Sequence, residues 1–208
     1  MEGFSRGPAY RIETRRLVLR CWNPEDAPIL KAAIEASLEH LLPWMDWAKQ
    51  EPETLEAKTQ RLRRLRGAFD LGHDFTYGIF SRDEREVFGG TGLHTRLGEG
   101  VREIGYWIHK EQVRQGLATE AAAALTKVAF EIDKVDRVEI HCDPNNVASI
   151  AVPRKLGYTH EATLRKRLLN PQGNHRDNMV WTLLAEEYPA SASARAEIKA
   201  FDVAGRLL

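Results

Sequence analysis

The residues best suited to chemistry fall in two short stretches. The first is Gln112-Val113-Arg114-Gln115-Gly116-Leu117-Ala118-Thr119-Glu120-Ala121-Ala122-Ala123-Ala124. Gly116 and Ala118 leave little side-chain bulk where a helix begins, so a ligand can lie close to the backbone. The first turn of a helix has free N–H groups, and the macrodipole makes that end positive. A loop of small residues feeding it is an anion site, and pyrophosphate is the anion it suggests. An ordinary helix start after a turn is the competing reading, and neither Gly-x-x-x-x-Gly-Lys-Ser/Thr nor Gly-x-Gly-x-x-Gly is matched. The second stretch is Asp143-Pro144-Asn145-Asn146-Val147-Ala148-Ser149. It offers a turn and a helix cap, with Asn146 and Ser149 one helical turn apart on a shared face.

Composition narrows the partners. Lys+Arg and Asp+Glu number 30 each, so the formal charge is zero. That argues against a general nucleic-acid or membrane-surface binder. No apolar run approaches the length of a membrane span. Two cysteines, Cys21 and Cys142, lie far apart. With no signal peptide visible they read as reduced thiols of a cytoplasmic protein. The seven histidines show no paired metal spacing and Cys142 has no nearby Cys, so no metal is expected.

The elements that must position these stretches can be placed in order. Residues 1–13 read as a loose arm, residues 14–188 as one domain, and residues 189–208 as an extension, helical over 194–201. Alternation predicts a strand over 14–21, and helices follow from Asn23 to about His40 and over 53–69, the latter carrying Leu55, Leu62, Leu65 and Phe69 inward. Leu41-Leu42-Pro43-Trp44-Met45-Asp46-Trp47 is an aromatic loop between them. Three strands, 74–81, 86–96 and 101–109, form a meander. A helix over 116–132 carries Leu117, Ala121, Ala124, Leu125, Val128 and Ile132 on one face. A strand at 137–142, a helix at 147–156 stopped by Gly157, and strands at 158–168 and 174–184 complete the chain. Asn170-Pro171-Gln172-Gly173 turns the last pair, and Pro153 should bend its helix. The fold class is α/β, a mixed and mostly antiparallel sheet of about seven strands flanked by helices.

With this order on the page, the chain resembles the GNAT acetyltransferases, and within them the RimJ/RimL-like branch of ribosomal-protein N-terminal acetyltransferases. Thr14-Arg15-Arg16-Leu17-Val18-Leu19-Arg20 looks like that branch's opening strand. Glu103-Ile104-Gly105-Tyr106-Trp107-Ile108, followed by Gln115-Gly116-Leu117-Ala118-Thr119-Glu120-Ala121, looks like the acyl-CoA motif. Asp143 to Ser149, with Lys155-Leu156-Gly157-Tyr158, looks like the second motif. Val113 and Arg114 depart from the usual pyrophosphate loop. The loop's binding groups are mainly backbone N–H, so Val113 removes a side-chain contact, and Arg114 adds charge near the phosphates.

The resemblance implies a single-domain GNAT fold, splayed between the fourth and fifth strands by a bulge near Tyr106 and Trp107. It implies acetyl-CoA as co-substrate, held by Arg114, Gln115, Gly116, Leu117, Ala118, Thr119, Asn146 and Ser149. The N–H of Trp107 or Ile108 would bond the thioester carbonyl, although both aromatics at 106 and 107 also read as ordinary strand residues. Ser149 would assist the departing thiolate, with Tyr158 as the other donor, or as a core aromatic. Trp44 and Trp47 would wall the amine site, or simply fill the core. The attacking amine must be neutral, which costs about 1 kcal/mol at pH 7 for an α-amine and about 4.6 kcal/mol for a lysine. Glu103 is the candidate base, with His94, His109 and His141 as alternatives. A surface Glu103 paired with Arg102 or another cation is the competing reading.

The function expected is transfer of an acetyl group to a primary amine, most directly a protein N-terminus, by direct attack in a ternary complex. Cys142 beside His141 does not make a covalent nucleophile, because strand neighbours point to opposite faces. A small-molecule amine substrate, or a non-catalytic acyl-CoA-binding module, are the other readings. A homodimer is left open.

Overall fold

The computed structural model describes residues 7–170 and 173–208. Residues 1–6 of the expected arm, and Pro171 and Gln172 of the last turn, lie outside the described residues. The described residues form nine strands and four α-helices in the order β1 (Arg11–Glu13), β2 (Leu17–Cys21), α1 (Ala27–Leu41), α2 (Leu55–Asp70), β3 (Phe75–Ser81), β4 (Val87–His94), β5 (Val101–Ile108), α3 (Leu117–Glu131), β6 (Arg137–Cys142), α4 (Val147–Leu156), β7 (Thr159–Leu169), β8 (His175–Leu184) and β9 (Lys199–Phe201).

All nine strands join one sheet, in the order β7-β8-β6-β5-β4-β3-β2-β1-β9. Seven strands match the expected ones; β1 and β9 are additions. The arm is therefore not loose from Arg11 onward, since β1 pairs with both β2 and β9. The expected helix over 194–201 is replaced by a short 3-10 turn, Ser193–Arg195, and then β9. Ile198 and Phe201 are too few apolar points to bury a helical stripe, and Ala200 instead seals a sheet edge, buried to 5% exposure. Leu55 also departs from expectation: it is exposed at the start of α2, while Leu62 and Phe69 are buried.

Side chains alternate across this sheet, and the alternation builds two cores. Ile104 and Ile108 of β5, Val138, Ile140 and Cys142 of β6 and the apolar face of α3 pack on one side. Val18, Trp22 and Phe80 pack on the other with Ala27, Leu30 and Ile34 of α1 and Leu62 of α2. Trp107 lies on this second side, edge-on to Trp47 with ring centroids 6.1 Å apart. Its indole lies over Gly90 of β4, where an added Cβ would come within 2.5 Å of Nε1. Glycine there lets a tryptophan lie flat on the sheet.

One irregularity positions everything that follows. β5 and β6 run parallel, and they pair only at Val101–Arg137, Arg102–Val138 and Glu103–Glu139. Beyond Glu103 the strands diverge, as the resemblance implied. The expected bulge at Tyr106 and Trp107 is not present: β5 pairs with β4 without a break from Ile108–Gly89 to Glu103–His94. Register shifts lie instead between β3 and β4, at Ile79 and Phe80, and between β7 and β8. β5 keeps its partner on one side and simply leaves its partner on the other.

Candidate active site

The divergence opens a cleft of about 440 Å³. Because side chains alternate, it draws on both faces of the sheet. Tyr106, Cys142, Asn146 and Ser149 line it on the α3/α4 side; Glu103, His141, Asn178 and Arg176 line it with Trp44 on the other. Residues from β5, β6, α4, β8 and the loop after α1 thus meet where two strands part.

On the α4 side, Asn146 caps the helix: its Oδ1 accepts the Ser149 N–H at 3.0 Å. The capping oxygen is therefore engaged, and the amide nitrogen of Asn146 is what it offers to a ligand. The Ser149 hydroxyl lies 3.2 Å from the Tyr106 hydroxyl, which also donates to the Ser149 carbonyl at 3.1 Å. Burial pushes the Tyr106 phenol well above its ordinary range, so it stays protonated and remains a donor. Tyr106 is the residue that sequence reasoning missed. Its signal was present, since alternation puts it on the same face as the second motif. Tyr158, the alternative donor, is fully engaged elsewhere: it is buried, with its hydroxyl 2.7 Å from that of Thr126. Burial also pushes the Cys142 thiol up to about 11, which keeps it neutral and removes it as a nucleophile.

The strand backbone contributes as well. The His109 N–H donates to the Phe88 carbonyl of β4 at 2.7 Å. Successive N–H groups of a strand point to opposite edges. The Ile108 N–H is therefore directed to the open edge and that of Trp107 to β4. Of the two expected donors, Ile108 has the geometry for a thioester oxygen.

Glu103 lies in the cleft, but its carboxylate is gripped by Arg96, with Nε at 2.7 Å from Oε2 and a second bond from the terminal nitrogen to Oε1. Burial pushes this carboxyl up, yet the Arg96 bonds and charge hold it below the ordinary range. The competing expectation paired it with Arg102 or another cation; Arg102 pairs with Asp133, and the other cation is Arg96. Of the three histidines, His141 alone lines the cleft. His94 faces Asp74 at 3.0 Å, and His109 Nδ1 accepts the Glu111 N–H at 3.3 Å. Trp44 lines the cleft, whereas Trp47 packs against Trp107 outside it.

The helix-start stretch lies apart from this cleft. Gly116 precedes α3 with φ +78°, a left-handed conformation that favours glycine. Arg114 is also left-handed, at φ +62°, and exposed. Gln115 and Gly116 are exposed, while Leu117 as a whole residue is buried to 4%. Glu120 would repel an anion at this helix end, but its carboxylate is turned aside, accepting from Thr14 Oγ1, Arg16 N and Arg16 Nε at 2.6–2.9 Å. These bonds tie the start of α3 to the turn before β2.

A sheet with one parallel, diverging strand pair, hydroxyls on one side of the gap and a polar wall on the other, defines an acyltransferase of the GNAT class. The Acetyltransferase (GNAT) domain family matches residues 16–159, and the chain belongs to that family. The Escherichia coli ribosomal protein uS5-alanine N-acetyltransferase is 25% identical over 88% of this chain and 95% of its own. The Bacillus subtilis N-acetyltransferase YnaD is 29% identical over 54% of this chain; the shared stretches span 65% of YnaD and 46% of B. subtilis YdaF. Among solved structures, Mycobacterium smegmatis RimJ in complex with CoA-disulfide superposes with a TM-score of 0.77 at 26% identity, covering 90% of this chain and 91% of that one. Among the described residues no helix is long and apolar enough to cross a membrane, and no group of three or more His, Cys, Asp or Glu is placed to hold a metal ion.

Proposed function

We propose that this GNAT acetyltransferase takes its acetyl group from acetyl-CoA and passes it directly to a primary amine, the α-amine of a protein N-terminus. The observation that carries this reading is the continuity of the cleft through the splayed strands: hydroxyls suited to a thioester and a polar wall suited to an amine line one space. The names of the E. coli and M. smegmatis relatives support the amine and the cofactor.

The residues fit such a cofactor. Gly116 is open, with nothing nearer an added Cβ than an Arg16 nitrogen at 3.7 Å, so a pyrophosphate can approach the N–H groups of 117–119. Arg114 adds a cation beside it, and Gln115 borders the same turn. Bound acetyl-CoA supplies an activated thioester. Ile108 N–H then stabilises negative charge developing on the carbonyl oxygen. Asn146 holds the arm through its amide nitrogen. Ser149, with Tyr106 behind it, donates to the departing sulfur. Trp44 bounds the amine side. The catalytic unit is residues 14–188. Glu103, an ion pair with Arg96 at neutral pH, fixes the wall and is a weak proton acceptor. An α-amine, with pKa of about 7.7–8.0, reaches its neutral form largely unaided.

The test is turnover of acetyl-CoA, followed as free thiol, with an alanine-initiated peptide, a polyamine and an aminoglycoside. The peptide is expected to be the best substrate by kcat/KM. Preference for either of the others would move the reading to a small-molecule acetyltransferase, and CoA binding without turnover of any amine would make the protein a binding module.

A further inference from the structure

The amine side of the cleft contains a buried side-chain acceptor that no described residue engages. Asn178 of β8 is 6% exposed, and its Oδ1 is buried with no partner among the described residues. A buried amide oxygen left unpaired loses its hydration without compensation, so such an atom calls for a ligand. Its orientation is fixed by a chain of neighbours. His141 Nε2 lies 2.7 Å from a Glu139 carboxylate oxygen, so that nitrogen carries the proton. His141 Nδ1 then accepts, and Asn178 Nδ2 donates to it at 3.3 Å. With the amide nitrogen facing His141, Oδ1 is turned the other way.

The carboxylates lining the cleft are engaged. Glu103 holds Arg96 through both oxygens. Asp143 accepts from the Asn145 backbone at 2.7 Å and from its side chain at 3.0 Å, and pairs with Arg176 at 3.5 Å. Asp46 lies 3.3 Å from Lys49 and 3.9 Å from Arg176. Arg176 stands two residues before Asn178, hence on the same face, and its Nε is likewise buried without a partner. The wall is built for a polar ligand.

We propose that Asn178 Oδ1 accepts a hydrogen bond from the amine that is acetylated, and that the Glu139–His141–Asn178 chain orients that oxygen. A neutral primary amine has two N–H bonds and one lone pair. Bonding an N–H to a fixed oxygen on β8 turns the lone pair toward the gap between β5 and β6. An uncharged oxygen also suits the nucleophile, because a carboxylate in its place would favour the ammonium form.

The inference rests on the acyltransfer reading above, and its test separates the two. In Asn178→Leu, KM for the peptide is expected to rise about tenfold, with the CoA dissociation constant within twofold of wild type. Asn178→Asp, which keeps an oxygen at that position but as a carboxylate, is expected to bring peptide KM most of the way back while lowering kcat near neutral pH, because the carboxylate favours the ammonium form. A folded Asn178→Leu protein with peptide KM within twofold of wild type overturns the assignment, as does a rise in KM that Asn178→Asp does not reverse at all, since that would mark a packing role. Should the leucine variant not fold, a crystal structure of the wild type with CoA and the peptide decides. The amine nitrogen within hydrogen-bond reach of Asn178 Oδ1 supports the proposal; the nitrogen on Glu103 or Asp143 overturns it. Failure of the wild type to turn over any amine would defeat the acyltransfer reading, and this inference with it.

Discussion

The turn before α3 and the amine wall of the cleft are built on opposite plans. The turn presents backbone N–H groups from consecutive residues, at an exposed helix end, with Glu120 folded away against Thr14 and Arg16. The wall presents side chains from distant strands, buried and tied to one another: Glu103 to Arg96, His141 to Glu139 and Asn178, Arg176 to Asp143. A backbone site tolerates a change of side chain provided the turn keeps its shape. A side-chain network does not, because removing one member strands its partner. Substitutions should therefore act differently in the two regions.

The largest effect is expected from Gly116→Glu. The substitution places a carboxylate at the positive end of α3 and strains a φ of +78°. CoA affinity should fall on the order of a hundredfold, while Gly116→Ala, which adds strain but no charge, should lose far less. Calorimetry with CoA measures both. Equal losses would mean that the shape of the turn matters and the anion site does not.

Next come the two hydroxyls. Ser149→Ala should lower kcat by about tenfold or more with little change in CoA binding, the pattern of an interaction made chiefly in the transition state. Tyr106→Phe removes the hydroxyl that touches Ser149 and should lower kcat by a smaller factor, about fivefold. A rise in KM for acetyl-CoA with unchanged kcat would make these binding residues.

The smallest effect is expected at Glu103. A general base would lose roughly 10²-fold on Glu103→Gln, with the loss shrinking at high pH. The ion pair with Arg96 holds this carboxyl below its ordinary range, so it is already ionised and partnered throughout the neutral region. The sign follows: a group whose pKa is depressed changes charge on the acid side and gives no inflection near neutrality. Glu103→Gln should therefore reduce kcat by less than tenfold, evenly from pH 6 to 9. A pH-dependent recovery would restore Glu103 as the base.

The same contrast explains what could be read from the sequence. The turn was legible because its residues are consecutive, and Asn146 and Ser149 because they lie one helical turn apart. The splay followed from the resemblance. Asn178 and Arg176 carried no local signal, since each acquires its role from a residue far along the chain. Arg96 and Glu103 flank the turn between β4 and β5, so hairpin pairing could have joined them. Tyr106 was correctly given a core-side face, but only the missing pairing beyond Glu103 turns that face toward Ser149. The short strands β1 and β9 were missed because three residues carry no periodicity; pairing alone defines them.

The central claim is that both substrates occupy one cleft together and that no protein group is acetylated on the way. Initial rates measured over a matrix of acetyl-CoA and peptide concentrations test it most directly. The account predicts intersecting double-reciprocal lines and an unmodified intact mass after incubation with acetyl-CoA alone. Parallel lines, with acetyl found on the protein, would contradict it.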